Sequence, residues 1–361
     1  MPEDPTPWLL GSDEPAARWI ALTRLKDRPS DDSDVVAAHA AVLRDPGTQG
    51  LLGRLRPWAE EVPLSGHDKP EFAPNLLALL ADMGVTARDD PRIAVVIEEM
   101  LRHQDGDGRF QTLGRWRGMD RALWAALPCD AHAIAETVAR FGRAEDPRAE
   151  RAFARMASDL ADTAQGRAWP CRPDPAVGFR GPGRKSDFCP QVTLEALRAF
   201  SYVPDFRRPA EVVHAGRVSL AAWRDRGTSK AYMFGHGRAF KRGKWPRTWY
   251  SALELTDVLG RYPELWSGPG ADPADRRSLA EVAACVVAYT MDAHGRVVPR
   301  SCFKGFEEYS FGRKKQPSAL ATALTAVALR RLSDLADEIR AVDVMALGSS
   351  KGGSGRPLPP D

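Results

Sequence analysis

The chain has 361 residues, of which 43% are hydrophobic and 27% charged, and carries a net charge of +3. That is a globular composition, long enough for two average domains or one large helical one. No apolar run approaches the ~20 residues that span a bilayer, and the opening MPEDPTPWLL is acidic and Pro-rich rather than basic and apolar, so no leader or membrane span is expected.

From the start, apolar residues recur at helical spacing: Ala16, Trp19, Ile20 and Leu22, then Val35, Val36, Ala40, Val42 and Leu43. No stretch alternates as a strand would. EPAARWIALTRL and DDSDVVAAHAAVL form a first helical pair. In later units a first helix is predicted to begin near Phe72, Asp130, Asp187, Thr248 and Pro317, at separations of 58, 57, 61 and 69 residues. Second helices begin at DDPR (Asp89), EDPR (Glu145), RRPA (Arg207) and ADPADRR (Ala271). Three of them run into related turns, QDGDGRF at Gln104, AQGRAWP at Ala164 and AHGRVVP at Ala293. Asp105 and Asp107 read as turn-shaping residues beside their glycines. Hairpins that cannot bury their apolar faces alone must stack, as an open solenoid or a closed ring. Residues 1–347 are therefore expected to form one all-α domain of about six helical hairpins, and the Gly/Ser-rich residues 348–361 a flexible tail.

Hairpins of this length and number, with QDGDGRF resembling a QW-type turn, make residues 14–345 similar to the α/α toroids of squalene-hopene cyclases and protein prenyltransferase β subunits. With AARWIALTRLKDRP at the N-terminus, the chain also resembles bacterial proteins built of prenyltransferase and squalene-cyclase repeats. The resemblance implies an α/α toroid whose inner-helix residues, such as Leu77, Phe188, Phe200, Trp249 and Tyr250, either line a central cavity or fill a core. It also implies capture of a phosphorylated or diphosphate ligand of isoprenoid type, with transferase activity.

The segment GFRGPGRKSDFCPQVTLEAL resembles the Gly-Phe-x-Gly loop of prenyltransferase β subunits, where basic residues precede an Asp-x-Cys pair that binds zinc. By that likeness Asp187 and Cys189 are metal ligands, and Arg180, Arg184 and Lys185 meet a diphosphate. Where the family places its third ligand, a His, this chain has Arg247 in PRTWYSAL; His132 in CDAH is the candidate replacement, and His236 lies in a loop of the same rim. Without the likeness, Asp187 reads as a helix N-cap and Cys189 as a small buried residue. A class II cyclase needs a DxDD acid, which is absent; DDSD at Asp31 and SDLAD at Ser333 fall on peripheral helices. No GxSxG, HExxH, P-loop or dinucleotide fingerprint occurs. Cys129 and His132 lie three residues apart at a helix start, where the dipole lowers a thiol pKa. They are a candidate nucleophile pair, with packing or capping as the alternative role.

The cysteines Cys129, Cys171, Cys189, Cys285 and Cys302 are an odd number without CxxC pairs, so a disulfide scaffold and a zinc ribbon are excluded and a reducing, cytoplasmic setting is expected. Charge is concentrated in the loops after each second helix. Residues 164–186 carry five basic residues against Asp174, residues 224–247 eight against Asp225, and residues 293–316 six against two Glu. These loops should emerge on one end of a ring and form a basic rim that attracts anions. Candidate contacts are Lys241, Arg242, Lys244, Arg247 and Tyr250 in RAFKRGKWPRTWY, and Lys304, Arg313, Lys314 and Lys315 before the last unit. Because Phe240, Trp245 and Trp249 are interleaved with the first group, nucleic-acid binding is the alternative function. A noncatalytic scaffold for an acidic protein partner is a further one.

Overall fold

A computed structural model of the chain describes residues 3–58, 66–116, 119–178, 181, 183–204, 208–228 and 237–347; the expected tail and His236 lie outside the described residues. The described chain is predominantly helical. Helices α1 (Thr6–Leu10) and α2 (Pro15–Ile20), the latter extended by a π-helical turn over Ala21–Leu25, precede α3 (Ser33–Arg44) and α4 (Pro46–Arg54). There follow α5 (Ala73–Asp82), α6 (Pro91–Arg102), α7 (Pro128–Arg140), α8 (Pro147–Ser158), α9 (Pro190–Phe200) and α10 (Ala210–Arg224). The remainder comprises α11 (Gly237–Arg242), α12 (Ala252–Leu259), α13 (Pro273–Thr290), α14 (Ala319–Arg330) and α15 (Ala336–Ala341).

The Asp-Pro words start helices for a local reason. Asp45, Asp90, Asp146 and Asp272 each accept a hydrogen bond from a first-turn amide, and the following proline occupies the first helical position, where no N–H is needed. The two helices of a hairpin then differ in burial. In α7 every residue from Cys129 to Ala139 is buried, and in α12 every residue from Ala252 to Leu259. By contrast, α8 buries only Ala149, Ala152, Phe153 and Met156. A helix buried all round belongs inside, and one with a single apolar stripe outside. Contacts follow that division: α5 packs on α7, α7 on α9, α9 on α12, α12 on α14, and α14 on α2. Outside them, α6 packs on α8, and α10 and α15 on α13.

Hydrogen bonds also join early and late segments of the chain. Leu320 N donates to Glu14 Oε2 at 2.8 Å, Tyr309 Oη to the Gly47 carbonyl at 3.0 Å, and Arg24 to the Ala81 carbonyl at 3.2 Å. Gly295, at φ +72°, passes so close to Glu3 that a Cβ would lie 2.1 Å from its carbonyl oxygen, so only glycine fits there. The main hydrophobic core runs from Leu9 to Ile339, and Leu22, Val35 and Ala38 form a smaller separate cluster.

Beside the helices the described residues hold two short strand pairs. Thr112–Gly114 pairs antiparallel with Leu123–Ala125, and Ala161–Thr163 with Gly166–Ala168. Three-residue strands are too short to show alternation. The repeated turn words close in the same way: Asp105 Oδ1 accepts from the amides of Asp107 and Arg109, and Asp292 Oδ1 from those of His294 and Arg296. No described helix is long and apolar enough to cross a membrane.

Candidate functional site

Inner helices α7 and α9 begin side by side, each with proline at its first position. Cys129 sits in the first turn of α7, and Cys189 is the N-cap of α9, its amide held by the Trp169 carbonyl at 2.8 Å. Described residues of the segment before α9, Cys171 and Gly181 among them, lie beside both starts. A cavity of about 170 Å³ lies between them, lined by His67, Cys129, Cys171, Arg184, Lys185, Asp187, Phe188, Cys189, Trp249 and Tyr250, among others. Arg184 and Lys185 are exposed at its edge.

On one wall, Asp130 is buried and its Oδ1 accepts both the His67 amide at 3.0 Å and His67 Nδ1 at 2.9 Å. Trp249 stacks on the imidazole at 5.7 Å between centroids. The ligand atoms of His67, Cys129 and Asp130 all lie within 4.8 Å of one another. Burial disfavours the His67 imidazolium, but contact with Cys129 and Asp130 outweighs it and holds its pKa well above the ordinary value. Burial pushes the Cys129 thiol up to about 11. A hydrogen bond with Cys171, and then burial, raise the Cys189 thiol well above its usual range. Cys171 also accepts the Gly181 amide at 3.3 Å. No cysteine is in a disulfide.

Of the residues expected here, Asp187, Cys189, Cys129, Arg184, Lys185 and Tyr250 come together at this cavity. His132 does not line it. Its Nδ1 bonds the Val192 carbonyl at 3.0 Å, its ring lies edge-on to Trp169, and burial lowers its pKa to about 4. The carboxylate of Asp187 is engaged by Gln165 Nε2 at 3.0 Å and the Arg184 amide at 3.4 Å. The Asp187, Cys189 and His132 set therefore does not fit a zinc ion, and the Cys129–His132 pair is not assembled. His67 escaped the sequence reading; its signal was GHD, a metal-competent His beside Asp68, six residues before the start of α5.

Arg180 lies outside the described residues. Arg242, Lys304, Arg313, Lys314 and Lys315 are exposed but do not line the cavity. Lys241 lies 4.8 Å over the Tyr289 ring and Lys244 4.2 Å over that of Phe303. In RAFKRGKWPRTWY, Phe240, Trp245 and Tyr250 are each only 4% exposed, so their faces serve the core. Trp249 is partly exposed and stacks on His67. Three of the segment's four aromatics therefore lack the open faces that base stacking needs.

Arg247 requires a correction. It points inward, 3.3 Å from Asp82, 3.2 Å from Glu254 and 3.6 Å from Asp257. Around it, Arg140 pairs with Asp82 at 2.6 Å and Glu136 at 3.2 Å, Arg261 with Asp257 at 3.5 Å, Arg198 with Glu254, and Arg331 with Asp257. Where a central cavity or a filled core was expected, the buried helices enclose ion pairs around a void of about 30 Å³. Leu77 and Phe200 are core residues. The legible signal was an acid followed by Arg on helices otherwise buried all round: Glu136/Arg140, Glu195/Arg198 and Asp257/Arg261.

No protein-family model matches this sequence, and no characterised protein is significantly similar to it.

Proposed function

We propose that this chain is an α/α toroid that captures a small phosphorylated or diphosphate ligand at the end where its inner helices begin. The observation carrying this reading is the cavity between α7 and α9, with Arg184 and Lys185 exposed at its edge and Phe188, Trp249 and Tyr250 on its walls. Cations at the mouth suit a phosphate, the first-turn amides of two long helices add to that preference, and aromatic walls suit a short apolar body. At about 170 Å³ the cavity is close in size to one that holds a benzene ring. The ion-paired centre offers no room for a long chain. Dimethylallyl diphosphate is therefore a better fit than farnesyl diphosphate. In a transferase reaction the same two cations would stabilise the departing diphosphate.

Isothermal titration with dimethylallyl, farnesyl and inorganic diphosphate tests the reading. The short prenyl compound should bind tightest, and the double variant Arg184→Ala, Lys185→Ala should weaken it at least tenfold, or about 1.4 kcal/mol. Undetectable binding, or affinity unchanged in the double variant, would sink the proposal.

A further inference from the structure

We propose that His67, Cys129, Cys171 and Cys189 bind one zinc ion at the wall of the cavity, as a closed Cys3His site. The four residues come from four separate segments: the loop before α5, the first turn of α7, the loop after the Gly166–Ala168 strand, and the N-cap of α9. All four line one cavity as two pairs: the ligand atoms of His67 and Cys129 lie within 4.8 Å of one another and Cys171 hydrogen-bonds Cys189, so that metal binding draws the two pairs together. Three thiols and an imidazole form a donor set that suits zinc, and a four-coordinate site of this composition is structural.

Three further features agree with a metal there. Asp130 holds His67 Nδ1 at 2.9 Å, the carboxylate–imidazole arrangement that fixes the ring and leaves Nε2 as the ligand atom. The Gly181 amide donates to Cys171 Sγ, a hydrogen bond that suits a thiolate. Gly181 also packs so closely that a Cβ would lie 2.8 Å from that sulfur, so the loop is shaped around it. On binding, each of the three thiols and the His67 imidazolium gives up a proton to solvent, and three thiolates with a neutral imidazole around a dication leave one negative charge. The ligand set differs from the one implied by the prenyltransferase likeness, since it omits Asp187 and His132. It is independent of diphosphate capture, which rests on Arg184 and Lys185.

The full-length protein, purified without chelator, should contain one zinc per chain by elemental analysis and native mass spectrometry. Cobalt substitution should give an intense sulfur-to-metal charge-transfer band and tetrahedral ligand-field bands. Cys129→Ser and Cys171→Ser should each weaken metal binding at least tenfold, while Asp187→Asn and His132→Gln should leave one bound zinc. If the serine variants do not fold, the cobalt spectrum of the unsubstituted protein and a thiol titration decide: metal should shield three of the five cysteines. A metal-free protein that takes up no added zinc or cobalt, a Cys171–Cys189 disulfide, or zinc lost in Asp187→Asn but kept in Cys171→Ser would overturn the assignment.

Discussion

Glu195 shows how a single carboxyl can work against the fold it sits in. Buried on α9 and hydrogen-bonded by Gln191 Nε2, it has its pKa raised by burial from 4.5 to about 7, with Arg198 only partly compensating. The folded state thus retains a proton that the unfolded chain gives up above pH 4.5, and ionising it in place costs up to about 3 kcal/mol above pH 7. Glu195→Gln should leave stability nearly unchanged at pH 4.5 and raise it by about 1 to 3 kcal/mol at pH 8, read from urea denaturation. An equal change at both pH values would show that the carboxyl is not held protonated. At this scale the sequence was only partly legible. Cys129, Asp187 and Cys189 could be picked as chemical candidates from their positions at helix starts. That His132 faces a backbone carbonyl while His67 reaches Asp130, 63 residues away, depends on tertiary packing that local pattern does not encode.

Among the helices, the Asp-Pro starts were the most readable feature, because cap and first turn are set by adjacent residues. Asp146 accepts the Arg148 amide at 3.0 Å and pairs with the Arg148 and Arg143 side chains at 2.8 and 2.7 Å. Since both arginines stay about a third exposed and solvent screens the pairs, the cap dominates. Asp146→Ala should cost about 1 kcal/mol and lower the melting temperature by about 2 to 4 °C in calorimetry, with Asp146→Asn or Ser restoring most of it. Loss of several times that amount would mean the ion pairs contribute more than their exposure allows. Starts of the second helices agreed with Pro91, Pro147, Ala210 and Pro273 to within three residues. The extra helices α4 and α11 and the three-residue strands were missed, because turns and pairs this short carry too few residues for periodicity to register.

Across the molecule, the strongest departure from expectation is the ion-paired centre. Asp82 is buried, which by itself raises its pKa, but Arg140, Arg247 and Arg24 outweigh that and hold it at about 2. Its depressed pKa stabilises the fold fully above about pH 4, and that contribution is lost as pH falls toward 2. Asp82→Asn would leave three arginines short of one carboxylate and should cost about 3 to 5 kcal/mol at pH 7, far more than an exposed pair would. The penalty should shrink below pH 4, and 0.5 M salt should not erase it, as chemical denaturation can check. Helical repeats were legible because each hairpin repeats the same apolar period. What fills their centre was not, since charged residues on a helix ordinarily signal solvent, and only the surrounding helices turn them inward.

The bond between Glu14 and Leu320 joins positions 306 residues apart. During synthesis, α2 therefore leaves the ribosome long before α14 exists to cover it, and the apolar side of α2 that α14 will cover stays open while the intervening hairpins are made. Such distant pairing is slow to form. In the cell, chaperone occupancy of the nascent chain should persist until about residue 330 has emerged, and premature termination before α14 should yield aggregates rather than a smaller stable protein.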